Sequence, residues 1–147
     1  MWVNLSQAEA DALIALAKRR ADDDERKFPQ PGERLVIPLV SLDKREDFLL
    51  DITRSQINVA KITHQNRARH VVILMRLDIQ GAPHRNPDGE VIPCPHLHVY
   101  RENFGDKWAF PLPAGKFQNL GELYQTFEDF MTECNVIETP KMQTGLF

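Results

Sequence analysis

The sequence has few of the features that mark specialised classes of protein. Its 147 residues include only two cysteines, Cys94 and Cys134, too few for the disulfide framework of a small secreted domain. No apolar run approaches the ~20 residues that span a bilayer. The N-terminus has neither the charged start nor the apolar segment of a signal peptide. These absences predict a cytoplasmic protein with reduced thiols and no membrane segment.

The sequence also has no large excess of charge of either sign. Eighteen Lys and Arg residues against 21 Asp and Glu residues give a formal net charge of −3. That balance excludes a large basic footprint for nucleic acid, although a local basic patch is compatible with it. A hydrophobic fraction of 42% is ordinary for a globular protein, and the length predicts one domain over residues 1–147.

The most informative stretch runs from His70 to Lys107 and contains four of the five histidines. We interpret it as a long β-hairpin with a first arm at about His70–Gln80 and a returning arm at about Val91–Arg101. Between them, Asn86-Pro87-Asp88-Gly89 favours a type I turn closed by a bulge. The odd positions of the first arm are apolar, which predicts the face of the strand that packs on the core: Ile73, Met75, Leu77 and Ile79.

The face assignment of the hairpin also fixes its pairing. If the apolar residues of both arms face one core, odd residues pair with odd residues and even residues with even ones. The opposite face then brings two charged side chains beside two imidazoles: Arg76, Asp78, His96 and His98. His84, in the connecting loop, lies over the same edge. Five groups that hold or exchange protons are therefore expected on one surface.

The rest of the chain predicts two helices around a sheet. A capping box at Ser6–Glu9 begins an N-terminal helical segment within 1–28 that continues to about Arg26. Residues 35–112 form the sheet, and a second capping box at Asn119–Glu122 begins a helix over 119–135, followed by a tail at 138–147. The expected strands outside the hairpin are Leu35–Leu42, Asp47–Arg54, Ile57–Gln65 and a short one at Trp108–Leu112.

These elements predict an α+β fold with a curved antiparallel meander of five or six strands. The N-terminal helix is expected at the flank of the sheet. The C-terminal helix has a wide apolar stripe, so we expect it to pack on one face of the sheet. The stripe consists of Leu120, Leu123, Tyr124, Phe127, Phe130 and Met131.

Metal-free acid–base catalysis is one interpretation of the histidine-rich face. Histidine titrates near neutral pH, so the three imidazoles can divide the roles of general base and general acid. Asp78 can fix the tautomer of one imidazole, and Arg76 can hold a phosphate through two hydrogen bonds. Four further residues are candidates for contacting an RNA substrate by stacking or by charge: Arg85, Tyr100, Arg101 and Lys107.

Two other interpretations stay open at this level. A His-x-His pair on a strand points both imidazoles the same way, so Cys94, His84, His96 and His98 form an alternative set of metal ligands. The same polar groups can also serve a structural role, keeping one face of the sheet solvated. The leading interpretation involves no metal and no cofactor.

The residues of this face resemble a known family. Arg76-Leu77-Asp78, Pro83-His84 and Pro95-His96-Leu97-His98 resemble the TumE type of small bacterial toxin, which implies action on RNA and a cognate antitoxin as partner. The complete pattern, PHxNPDG followed by PHLHxY, is more similar to an uncharacterised family of small proteins from bacteria, their phages or mobile elements. That likeness implies a genomic setting and no particular reaction. The alternative function is a non-catalytic binding or inhibitor protein of a phage or mobile element that acts on a protein partner, such as a host protein.

Overall fold

The computed structural model of the protein describes residues 4–143. Within them the chain forms two helices and twelve strands. In chain order these are α1 (Gln7–Ala15), β1 (Lys18–Arg20), β2 (Glu25–Arg26), β3 (Arg34–Ser41), β4 (Asp47–Arg54), β5 (Ile62–Ala68), β6 (Val72–Asp78), β7 (His84–Arg85), β8 (Val91–Ile92), β9 (His96–Val99), β10 (Ala109–Pro111), α2 (Leu123–Glu133), β11 (Val136–Glu138) and β12 (Lys141–Met142).

Eight of the strands form one sheet in the order β10-β9-β6-β5-β4-β3-β1-β11. Neighbouring strands are antiparallel except β1 and β11, which are parallel. The predicted α+β class and the antiparallel meander from β3 to β6 are therefore confirmed. The sheet has two strands more than the six expected, because β1 and β11 extend it beyond β3. The remaining strands form two small pairs, β12 with β2 and β7 with β8.

The N-terminal helix is much shorter than predicted. The capping box is present, with the Glu9 amide donating to Ser6 Oγ at 3.1 Å and the Ser6 amide donating to Glu9 Oε1 at 3.2 Å. The helix ends at Ala15, because the next residues enter the sheet as β1. The first residue of β1 is a buried lysine: Lys18 Nζ donates to the carbonyls of Leu16 at 2.9 Å and Cys134 at 2.7 Å.

The two helices lie on one face of the sheet. α1 lies against β6, an interior strand of the sheet, and not at the flank of the sheet as predicted. α2 packs Phe127 and Phe130 against the His64 ring of β5, with ring centroids 6.0 and 5.6 Å apart. Both phenylalanines and Met131 are buried as predicted, whereas Leu120 and Leu123 are only partly buried at the margin of the core.

The predicted core face of β6 is correct in its second half and wrong at its start. Met75 and Leu77 are buried, but Ile73 is half-exposed while Val72 and Leu74 are buried. The pairing of β5 with β6 shifts register between Asn66 and Arg67, opposite this point. Such a bulge inserts one residue into a strand and reverses the alternation of its side chains.

The third expected strand begins five residues later than predicted. Ile57 is 98% exposed in the loop before β5, although its side chain suggested a strand. β5 also continues three residues beyond the predicted end at Gln65 and ends at Ala68. Asn66 is buried there and donates from Nδ2 to the Leu49 carbonyl at 3.2 Å, so a polar residue occupies a strand interior.

The predicted capping box at Asn119–Glu122 is not formed. α2 has Glu122 at its N-cap with no side-chain capping bond, and Asn119 instead accepts a hydrogen bond through its backbone carbonyl, from Thr126 Oγ1 at 3.1 Å. The tail after Glu138 contributes β12. Residues 144–147 lie outside the described residues.

The central hairpin exists, but a second, smaller hairpin interrupts it. β6 pairs with β9, while β7 and β8 form their own two-stranded sheet in the connection. The predicted turn joins β7 to β8: the Gly89 amide donates to the Asn86 carbonyl at 2.8 Å, and Gly89 has a φ of 93°. The connection is therefore a folded element that lies beside the imidazoles.

Two sequence expectations concern the chain as a whole. Neither helix within residues 4–143 is long and apolar enough to cross a membrane. Cys94 and Cys134 are both free thiols; Cys134 is buried at the C-terminal end of α2, while Cys94 lies in the connection before β9.

The packing of α2 gives a stability prediction. Replacing Phe127 by Ala removes a ring that is 1% exposed, so we expect a loss of about 3–5 kcal/mol in the free energy of unfolding by urea. Phe110→Ala, at a site 41% exposed on the sheet edge, is the matched control and should cost far less. A loss below about 1 kcal/mol for Phe127→Ala would contradict the packing of α2 on the sheet.

The buried histidine under α2 gives a pH prediction. Burial lowers the pKa of His64 from 6.5 to about 3, so between these values the unfolded chain binds a proton that the folded chain does not. Stability should therefore fall as the pH falls through this window, by about 2 kcal/mol from this group at pH 5. Urea unfolding of His64→Leu should show a smaller loss between pH 7 and pH 5 than the unchanged protein.

His70 provides the control for that measurement. It is exposed in the turn between β5 and β6 with a φ of 66°, which asparagine tolerates. His70→Asn should keep the pH dependence of the unchanged protein. An equal loss of stability at pH 5 in His64→Leu and the unchanged protein would show that the core histidine does not cause it.

Candidate active site

The pairing of β6 with β9 places the candidate residues side by side. Arg76 lies opposite His98, and Asp78 lies opposite His96. This is the even-with-even pairing expected from the sequence, and it puts the four side chains on the face of the sheet away from α2. His84 joins them from β7. The structure therefore brings all five predicted residues together.

One carboxylate lies at the centre of the group. Asp78 Oδ2 is 3.2 Å from His96 Nε2 and 3.1 Å from His98 Nε2. On its other side Arg76 Nε lies 3.3 Å from Oδ1, and Thr63 Oγ1 donates to the same oxygen at 3.3 Å. We call these residues with His84 the histidine cluster: Arg76, Asp78, His84, His96 and His98.

The Asp78 side chain is 20% exposed, so its charge needs compensation. Burial alone raises the pKa of this carboxyl, but the hydrogen bond from His98 and the charge of Arg76 lower it by more. The net pKa lies well below the ordinary value. Asp78 is therefore ionised at neutral pH and can accept hydrogen bonds from the groups that touch it.

Backbone carbonyls fix where the hydrogens of both buried imidazoles lie. His98 Nδ1 is 2.8 Å from the Asp106 carbonyl, and His96 Nδ1 is 3.3 Å from the Pro93 carbonyl. A carbonyl only accepts, so each Nδ1 carries a hydrogen. His96 Nε2 then makes a favourable contact with the Asp78 carboxylate only when it is also protonated. His98 Nε2 lies 3.1 Å from Asp78 Oδ2 but also 3.0 Å from Arg76 Nη2, from which it can accept a hydrogen bond only while unprotonated. The position that these contacts leave for an additional proton is therefore His96 Nε2.

His84 has the opposite arrangement. Its Nε2 lies 2.7 Å from the Lys107 carbonyl and must carry the hydrogen, so Nδ1 is the unprotonated nitrogen of the neutral ring. The His84 ring centroid is 4.6 Å from that of His98. His84 is half-exposed, whereas His96 and His98 are 2% and 1% exposed. The cluster therefore holds one bare nitrogen beside two rings whose Nε2 atoms face a carboxylate.

The loop between β9 and β10 holds the cluster in place, which the sequence did not predict. Asp106 accepts from Arg76 Nη1 at 2.6 Å through its carboxylate, and its carbonyl binds His98. The next carbonyl, that of Lys107, binds His84. Asp106 follows Gly105 just after the returning arm, but nothing in the spacing showed that this loop would fold back over β9.

A second brace fastens the small hairpin to the sheet edge. The buried Asn86 side chain donates from Nδ2 to the Ala109 carbonyl at 2.9 Å and accepts at Oδ1 from the Ala109 amide at 2.8 Å. The Asn86 side chain thus makes the two hydrogen bonds that the backbone of a neighbouring strand would make with Ala109. Because Asn86 lies in the turn after β7, this brace also limits the movement of His84.

The four residues predicted to contact a substrate lie in different environments. Tyr100 is 3% exposed, and its hydroxyl accepts from the Leu5 amide at 2.7 Å and donates to the Leu5 carbonyl at 2.8 Å. It anchors the N-terminal segment and is buried away from solvent, so its prediction as a base-stacking residue is wrong. Arg101 covers the Trp108 ring at 4.3 Å, Arg85 donates to the Gly89 carbonyl, and Lys107 is exposed.

A metal site is geometrically possible, with a different set of ligands from the one predicted. Among the described residues, Asp78, His96 and His98 each offer one ligand atom within 4.8 Å of the others, and neither Cys94 nor His84 belongs to that set. The Arg76 guanidinium already contacts it, with Nη2 3.0 Å from His98 Nε2. A bound cation would lie against this positive charge, which disfavours a metal ion at this position.

An open cleft of about 410 Å³ reaches the cluster from the β5 side of β6. It gives solvent and small groups access to Asp78 and Arg76. Its lining residues are Lys61, Thr63, Arg76, Asp78, Gln80, Gly81, Ala82 and Cys94.

The fold and site define an α+β protein with a polar, histidine-rich cluster on one face of a mostly antiparallel sheet. Residues 5–136 match the model of a family of unknown function, DUF6978, and the chain belongs to that family. No curated protein and no solved structure matches the chain. The family thus assigns no reaction, and function has to be argued from the cluster itself.

The hydrogen positions in the cluster can be tested directly. Ring ¹⁵N spectra of the labelled protein should show hydrogen on Nδ1 of His96 and His98, and on Nε2 of neutral His84, because backbone carbonyls accept at those nitrogens. His70 should serve as the reference for an exposed ring. Two exchanging tautomers at His84 would contradict the bond to the Lys107 carbonyl.

Proposed function

We propose that the protein cleaves RNA by metal-free acid–base catalysis in the histidine cluster. The observation that carries this proposal is the sharing of one carboxylate oxygen, Asp78 Oδ2, by His96 and His98, whose other nitrogens are bonded to carbonyls. Such a pair stores a proton beside His84, which has a bare nitrogen when neutral. A stored proton next to a base is what general acid–base catalysis requires.

RNA suits this arrangement because it carries its own nucleophile. In the proposed reaction, His84 Nδ1 takes the proton of a 2′-hydroxyl, and the 2′-oxygen bonds to the adjacent phosphorus. The bond from phosphorus to the 5′-oxygen breaks, and His96 Nε2 gives its proton to that oxygen. The products are a 2′,3′-cyclic phosphate and a 5′-hydroxyl, with no external reactant consumed. Arg76 would stabilise the charge that develops on the phosphoryl oxygens.

The resemblance to TumE-type toxins supports RNA as the substrate. It rests on the Arg-x-Asp strand, the loop histidine and the closing His-x-His, which are the five members of the cluster. Cations also border the site: Lys107 is exposed beside His84, and Arg101 lies on the Trp108 ring. Under this proposal a cognate antitoxin would be expected to cover the same face.

Burial favours a second candidate function. His96 and His98 are almost inaccessible, and the ring nitrogens of His98 contact Arg76, Asp78 and the Asp106 carbonyl. A closed network of this kind also suits a non-catalytic protein that binds or inhibits a host protein through the surrounding surface. In that case the cluster rigidifies the face without exchanging protons with a substrate.

Activity assays on a short RNA in EDTA separate these functions. Asp78→Asn keeps the shape of the side chain and removes its charge, so we expect a loss of about 100-fold or more in cleavage rate. His96→Ala and His98→Ala should also abolish cleavage, with folding checked by the melting temperature because both rings are buried. His70→Asn, outside the cluster, should keep full activity.

The alternatives predict other results in the same assay. Equal activity of Asp78→Asn and the unchanged protein would exclude the acid–base role. Cleavage that disappears in EDTA and returns with a divalent ion would assign the cluster to a metal. Absence of any cleavage by the unchanged protein would favour the binding function.

A further inference from the structure

We propose that Lys61 binds a phosphodiester group of the substrate in the cleft beside Arg76 and Asp78. This inference rests on the proposed function, which it deepens by assigning a substrate-binding residue. Lys61 did not stand out in the sequence, because it belongs to no motif and lies inside the expected strand Ile57–Gln65. Its significance comes from its place in the cleft.

The lining of the cleft suits an anion. It includes two cationic side chains, Lys61 and Arg76, together with the hydroxyl of Thr63 and the amide of Gln80. Asp78 is the only carboxylate in the lining, and its oxygens already contact Arg76, Thr63 and the two imidazoles. The remaining groups that can bond to a ligand are therefore mainly donors, as recognition of a phosphate requires.

The ammonium of Lys61 is uncommitted. Within residues 4–143 it has no carboxylate within 4.0 Å and no side-chain hydrogen bond, and the residue is exposed. Lys61 and Cys94 both line the cleft, and the positive charge of Lys61 opposes the rise in the pKa of the Cys94 thiol that burial causes. A free cation in the same cleft as the Arg76 guanidinium is a natural place for a phosphate oxygen.

The backbone positions Lys61 for this role. Its carbonyl accepts from the Ser55 amide at 3.0 Å, and its amide donates to the Asn58 carbonyl at 2.9 Å, which closes the loop before β5. Gly81 lies alongside the stem of the side chain: a Cβ there would be 3.5 Å from Lys61 Cε, and its φ of 150° favours glycine. The stem is thus guided into the cleft while its charged end stays free.

Binding can be measured separately from cleavage with a fluorescein-labelled ten-nucleotide 2′-O-methyl RNA, which lacks the nucleophilic hydroxyl. Fluorescence anisotropy should show Lys61→Gln binding this probe about tenfold more weakly than the unchanged protein at low salt. The slope of log affinity against log salt should fall by about 0.7, the value for one lost phosphate contact. Lys61→Arg should keep most of the affinity, and Lys27→Gln, an exposed lysine outside the cleft, should bind like the unchanged protein.

The outcomes distinguish this inference from the proposed function. Equal binding by Lys61→Gln and the unchanged protein, or no binding of the probe by the unchanged protein, would overturn the role of Lys61 even if RNA is cleaved. Binding that depends on Lys61, without any cleavage of ordinary RNA, would support the phosphate site and reject the catalytic proposal. Where cleavage occurs, Lys61→Gln should raise KM for RNA, and an unchanged KM would count against the inference.

Discussion

The charge on Asp78 is the constraint on which the candidate site depends. The side chain is largely withdrawn from water, and an ionised carboxylate in such a place is stable only with partners. β6 and β9 supply them through their register: Arg76 from the same strand and two imidazoles from the opposite one. A shift of one residue would send the imidazoles to the helix side and leave the carboxylate without compensation. The register of β6 with β9 therefore determines which groups contact the Asp78 carboxylate.

The residues that hold the histidine cluster in position belong to loops and not to the sheet. The loop after β9 gives two consecutive carbonyls, of Asp106 and Lys107, to two histidines, and it gives a carboxylate to Arg76. Asn86 fastens the small hairpin to β10. These contacts set which ring nitrogen carries hydrogen, which side-chain spacing alone cannot do. The rigid sheet brings the groups together, and the loops determine their protonation.

Local patterns predicted the parts of the molecule that local physics determines. Alternation in β4 and β6 and the stripe of α2 follow from period and burial, so the α+β class and the pairing of Arg76 and Asp78 with the imidazoles could be predicted. The burial of Lys18 and Asn66 could not be predicted. Each side chain is stabilised by a carbonyl that is distant in sequence, that of Cys134 for Lys18 and that of Leu49 for Asn66. The roles of Asp106 and Lys61 could not be predicted for the same reason, because they depend on separate loops that come together beside β6.

The most direct test of the acid–base account is the identity of the ends produced when a short RNA is incubated with the protein in EDTA. Attack by the 2′-oxygen with proton transfer by the cluster leaves a 2′,3′-cyclic phosphate and a 5′-hydroxyl, which mass spectrometry distinguishes from other termini. We expect those ends, and their loss in Asp78→Asn. Ends with a 5′-phosphate, or no cleavage by the unchanged protein, would contradict the account.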